Sequence, residues 1–168
     1  GDFPKAIQEL NESKRLDPDS IETGLALAIL YTLQNSSEKA AREYEEVLIK
    51  ASARDPKNIV ILKSLAVIYY QQKKFEAAIE AYKIVSGIDK NDLEAIFMLG
   101  SLFEETGRRP EAMQKFKDVL KIDPGHADAL NSLGYLYALE GRRLGEAQRL
   151  ISQALAKDPE NGAYIDSL

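Results

Sequence analysis

The sequence predicts an all-α fold, a solenoid of antiparallel helix pairs, from three observations. Apolar residues recur at helical spacing, helix-ending residues punctuate them, and the same few residue types return with a period near 34. Residues 93–126 show all three. Ile96, Leu99, Gly100 and Phe103 fall at i, i+3, i+4 and i+7, one apolar stripe of a helix. Thr106-Gly107 ends that helix, because glycine enters the left-handed region without a Cβ penalty. Pro110 suits the first turn of a second helix, where its missing N–H has no partner to lose. Ala112, Phe116, Val119 and Leu120 form the second stripe, and Asp123-Pro124-Gly125 stops it.

The period is legible from end to end. Pro124 lies 34 residues after Lys90, Lys90 34 after Pro56, Pro56 38 after Pro18, and Pro159 35 after Pro124. An Asp precedes each: Asp17, Asp55, Asp89, Asp123 and Asp158. Each first helix carries a small residue (Ala28, Ala66, Gly100, Gly134) with a Leu before it and an aromatic three residues later (Tyr31, Tyr69, Phe103, Tyr137). Each second helix has an Ala near its start: Ala6, Ala40, Ala78, Ala112 and Ala147. Small residues at these positions let helices approach closely, and the aromatics fill the space between. One pair cannot cover its own apolar faces, so neighbours must stack.

In order, residues 1–20 read as the second helix of a repeat, with Phe3, Ala6, Ile7, Leu10 and Leu16 at helical spacing. The expectation is that the native N-terminus lies upstream. Residues 21–58 are a repeat with four extra residues, about one helical turn, placed near Lys50 to Ala53. Ser36 or Ser37 is expected to cap its second helix. Gly24 stands where other repeats have Leu or Ile. It either leaves a notch for a ligand side chain or loosens the helix, and looseness is the expectation. Residues 59–92 and 93–126 are regular repeats, and Gly87 should weaken a last turn. Residues 127–161 carry one extra residue in the turn from Gly141 to Gly145. Residues 162–168 begin a further repeat, with Ile165 and Leu168 on its stripe, leaving bare edges expected to associate end to end.

This register resembles the tetratricopeptide repeat (TPR) family over the whole chain. The departures are the absence of the Trp common early in first helices, replaced by Gly24, Leu62, Ile96 and Leu130, and Lys90 in place of the usual Pro. The last stretch is similar to bacterial TPR proteins. The resemblance implies a single array with a right-handed α-α superhelix, whose first helices line a concave groove for a peptide or a partner helix. It places in that groove Leu25, Ile29 and Leu33, then Lys63, Val67 and Tyr70, then Phe97, Ser101 and Glu104, then Asn131, Tyr135 and Ala138. The Lys–Asn–Arg clamp that some TPR modules use for a carboxylate is not expected, because Ile29, Val67, Ser101 and Tyr135 stand where its Asn is sought. The implied function is a non-catalytic protein–protein interaction scaffold. The alternatives are a self-assembling scaffold and a substrate-recruiting module of a larger protein.

Composition agrees with that class. A net charge of −5 argues against nucleic acid as a partner, and there is no cysteine for a disulfide or thiolate site. No run of about 18 apolar residues suggests membrane insertion. Neither a cytoplasmic nor a periplasmic location follows. No catalytic constellation, metal site or cofactor is expected. The single histidine, His126, reads as a surface loop residue without convergent partners. Glu104-Glu105 diverge on a helix and read as a solvated face. Arg108-Arg109 and Arg142-Arg143 read as solvated turn residues rather than an anion site.

Overall fold

The computed structural model describes residues 3–141 and 143–167. They are all-α, and the chain divides after Ile88 into two compact units. The first contains α1 (Phe3–Leu16), α2 (Ile21–Leu33), α3 (Ser37–Arg54), α4 (Ile59–Gln71) and α5 (Phe75–Ile88). Helices α2 and α3 pack as one pair, α4 and α5 as the next, with α1 against α2 and α3 against α4. The second contains α6 (Leu93–Glu105), α7 (Arg109–Ile122), α8 (Ala127–Glu140), α9 (Leu144–Lys157) and the short α10 (Gly162–Asp166). Here α6 pairs with α7 and α8 with α9, α7 packs on α8, and α10 docks on α9. Among the described residues no helix is long and apolar enough to cross a membrane.

Two kinds of junction alternate. Every first helix starts from a side-chain cap that accepts a backbone N–H of its first turn: Ser20 from Thr23, Asn58 from Ile61, Asp92 from Ala95, His126 through Nδ1 from Ala129, and Asn161 from Ala163. The turns inside α2–α3, α4–α5 and α6–α7 are instead closed by main chain. In the first, Asn35 N–H donates to the Thr32 carbonyl at 3.0 Å and Ser36 N–H to Tyr31 at 2.8 Å, with Asn35 left-handed at φ 55°. Lys73 (φ 59°) and Gly107 (φ 74°) occupy the same place in the next two turns. The cap expected from Ser36 is therefore absent. With ψ at 63° the residue lies outside the extended conformation that aims a hydroxyl at the first turn, and it makes no side-chain cap bond.

The small residues mark the tightest crossings. A Cβ on Gly100 would lie 2.6 Å from Phe116 Cε1, and one on Gly134 would lie 2.8 Å from Ile151 Cγ1 and 3.0 Å from the Ala147 carbonyl oxygen. Ala147 thus meets the first helix of its own pair at this crossing. Ala28 and Ala66 are completely buried at the corresponding positions. Gly24 is neither a notch nor a loose point. It is buried, and an added Cβ would sit 2.5 Å from Val47 Cγ2, so α2 and α3 touch through it.

The aromatic stripe is buried only in the second unit, at Phe103 and Tyr137, whereas Tyr31 and Tyr69 are half-buried. Each ring is covered by a cation from its own hairpin: Lys39 over Tyr31, Lys74 over Tyr69, Arg108 over Phe103 and Arg143 over Tyr137, the last joined by Lys117 from α7 of the preceding pair. Arg108 is thus a half-buried packing element rather than a solvated turn residue, whereas Arg109 and Arg143 are exposed as expected, Arg143 with its guanidinium over a ring; Arg142 lies outside the described residues.

Helix α3 has 18 residues against 14 for α1, α5, α7 and α9. Lys50, in its added region, donates to the Pro18 carbonyl and to Glu46 at 2.8 Å. Lys14 of α1 joins Glu43 at 2.7 Å and Glu46 at 2.6 Å. Hydrogen bonds from Lys14 and then Lys50 hold the Glu46 carboxyl below its ordinary range. Its folded pKa is depressed, so that stabilisation is present above the unfolded value and is lost as pH falls through the folded one.

Gly87 lies inside the last turn of α5, and an added Cβ would meet nothing within 4 Å. Gly87→Ala is expected to raise stability by about 1 kcal/mol through lower unfolded-state entropy and better helix propensity. Thermal or urea melts of the two chains check this. A lower melting temperature for the Ala variant would contradict it.

Candidate functional site

None of the twelve groove residues expected from the sequence belongs to the buried core. In the first unit α2 presents Leu25, Ile29 and Leu33, which are 38%, 51% and 60% exposed. They follow at i, i+4 and i+8 and form one row beside the buried Leu27–Ala28 stripe. Helix α4 presents Val67 and Tyr70, both exposed, with the Tyr70 ring 5.9 Å from Phe75. Lys63 is half-buried and has an interaction of its own.

In the second unit Phe97, Ser101 and Glu104 are half-buried along α6, and Asn131 and Ala138 are half-buried along α8, with Tyr135 exposed. Phe97 ties the two first helices together. Its ring lies 5.5 Å from Phe116 of α7 and stacks at 5.2 Å on His126, the cap of α8. Ser101 Oγ donates to the Phe97 carbonyl at 3.3 Å, and the Asn131 Oδ1 is buried without a hydrogen-bond partner. Glu104 is not the solvated carboxylate expected from sequence. Burial, and then the charge of Glu105, push its pKa up, with Arg109 acting in the opposite direction.

Several features were missed by sequence reasoning. His126 is a helix cap and a stacking partner, a role visible in the sequence only by aligning it with Ser20, Asn58, Asp92 and Asn161. Tyr164 anchors α10: it is buried against Leu130 and Ala154, and its hydroxyl donates to Asp128 at 2.5 Å. Burial and that carboxylate push its pKa up. A cleft of about 850 Å³ lies in the first unit between the start of α3 and the end of α4, lined by Ser37, Glu38, Arg42, Glu45, Gln71, Gln72 and Lys74. Its charges are internally paired, Lys74 with both Glu45 oxygens at 2.7 and 2.9 Å and Arg42 with Glu38 at 2.5 Å. None of the twelve residues lines it. Among the described residues no group of three or more His, Asp or Glu could hold a metal ion.

Helix pairs joined by short turns, a small residue at each crossing and a row of side chains left outside each core define a helical-repeat protein. Two profiles described as tetratricopeptide repeat match the sequence, over residues 62–92 and 104–168. The chain belongs to the tetratricopeptide repeat family. A crystal structure of MamA superposes with a TM-score of 0.71 at 25% identity, covering 95% of this chain and 91% of that one. A crystal structure of YrrB, described as a TPR protein with an unusual peptide-binding site, gives 0.73 at 21% identity over 98% and 82%. No curated protein sequence matches significantly.

Proposed function

We propose that this chain is a non-catalytic protein–protein interaction scaffold that takes a peptide or a partner helix along its first-helix faces. Its repeats are residues 21–58, 59–92, 93–126 and 127–161, flanked by the partial repeats 1–20 and 162–168. One observation carries the reading: six of the twelve groove residues, Leu25, Ile29, Leu33, Val67, Tyr70 and Tyr135, are large side chains left exposed in rows on helices whose other faces are packed. Exposed apolar side chains in a row, as Leu25, Ile29 and Leu33 stand on α2 within the first unit, mark interaction sites. The family membership agrees with it, as does the likeness to YrrB, a TPR protein with an unusual peptide-binding site.

The double variant Val67→Glu/Tyr70→Ala tests the reading. Both positions are exposed, so stability should change by no more than about 0.5 kcal/mol at each. Peptides selected on the wild-type chain should bind it at least about ten-fold more weakly, a loss of roughly 1.4 kcal/mol. Unchanged binding by a folded variant would move the site elsewhere. A second reading, self-association, is favoured by α1, whose apolar Phe3, Ala6, Ile7 and Leu10 are only half-covered. Sedimentation velocity showing no change in mass with concentration would remove it.

A further inference from the structure

We infer that the α6–α8 face selects a peptide carrying a lysine or arginine, whose cation seats against Glu104 while its apolar neighbours lie on Phe97 and Tyr135. The inference rests on the groove reading above and names the chemistry of its occupant.

The first observation is a segregation of charge within the second unit. Helix α6 carries Glu94, Glu104 and Glu105, and α8 carries Asp128 and Glu140, with no Lys or Arg on either. The cations sit on the second helices: Arg109, Lys115, Lys117 and Lys121 against Glu111 and Asp118 on α7, and Arg149 and Lys157 against Glu146 on α9. On α7 they are partly spent on Asp118, which pairs with Lys121 at 2.8 Å and Lys115 at 3.8 Å, while Lys117 covers Tyr137. The first-helix layer therefore presents one sign of charge, and complementary potentials choose partners and steer their approach.

The second observation is the setting of Glu104. It continues the row of Phe97 and Ser101 at i+7 and i+3, on the face of α6 joined to α8 through the Phe97–His126 stack. It is half-buried beside Glu105, and no hydrogen bond to its carboxylate is made among the described residues. Arg109, exposed at the start of α7, attracts it but does not bring it back to an ordinary carboxyl. Exposed Tyr135 and Leu139 on α8 offer apolar surface on the neighbouring helix. A half-buried acid beside a second acid, with no hydrogen bond to its carboxyl, gains from a cation brought by a ligand. A Lys or Arg stem can lie on the aromatic surface while its head reaches the acid.

The test is a random twelve-residue peptide display library selected on the full 168-residue chain, with recovered peptides measured by fluorescence anisotropy against wild type, Glu104→Gln and the exposed control Glu160→Gln. The expected peptides are enriched in Lys and Arg. They should bind Glu104→Gln about five- to ten-fold more weakly, bind Glu160→Gln as they bind wild type, and weaken as salt rises. The Glu104→Gln chain should melt no lower than wild type, which separates a lost contact from a damaged fold. Neutral or acidic peptides, or basic ones indifferent to Glu104→Gln, would overturn the inference. If such peptides are still released by Val67→Glu/Tyr70→Ala or Tyr135→Ala, the groove stands without its cation site. Peptides indifferent to every variant, or no peptide recovered, would overturn both.

Discussion

Phe116→Ala is expected to destabilise the chain by about 3–5 kcal/mol, the usual cost of removing a buried phenyl ring. Phe116 is completely buried, its ring lies 5.5 Å from that of Phe97, and its edge faces Gly100 at the α6–α7 crossing. Truncation would open a cavity bounded by two backbones that the crossing holds in place, so little collapse can refill it. The effect extends to the candidate site, since Phe97 rests on Phe116 and carries the stack on His126. Urea melts of wild type and variant measure it. A loss under about 1 kcal/mol would remove Phe116 from the core and with it the packing account of the repeat.

Gly134→Ala is the second large effect, expected to cost about 1–3 kcal/mol by overpacking. The added methyl would press on Ile151, 2% exposed, and on the Ala147 carbonyl oxygen, so the two helices themselves must move apart. The same substitution at Gly87 has the opposite sign because no neighbour stands near it. A chain carrying Gly134→Ala and melting at or above the wild-type temperature would mean that α8 and α9 do not cross closely there.

The contrast between these glycines shows how far the sequence could be read. Gly100 and Gly134 declared themselves by recurring with Ala28 and Ala66 at one period, because a close crossing demands a small residue at a fixed place in every pair. Gly24 did not, since the crossing it serves is made with Val47 and belongs to one pair only. The helix boundaries were legible for a similar reason: Asp-Pro steps and the left-handed Gly107 act locally. What a cation does at the end of a hairpin is not local. Arg108 covers Phe103 only after the turn has folded back, so the pair looked like ordinary surface charge. The candidate site was legible as a set of positions, because residues outside a packing stripe must face outward. The burial of Glu104 was hidden, because it depends on how much of the neighbouring surface rises beside it.

The main-chain closure of the turns within the helix pairs has a consequence for how the chain tolerates change. Asn35, Lys73 and Gly107 need only a left-handed backbone, and the bonds that lock each turn come from peptide groups that every residue except proline supplies. The side chains there are released from closing the fold, and two of them, Lys74 and Arg108, have been recruited as lids on aromatic rings. The junctions between pairs have less freedom: each carries a main-chain bond, such as Asn58 N–H to the Asp55 carbonyl at 3.2 Å, but each adds a cap whose oxygen or ring nitrogen only a few side chains can supply. Hairpin turns are therefore the places to graft a new loop or reporter group, and the caps are the places to leave alone.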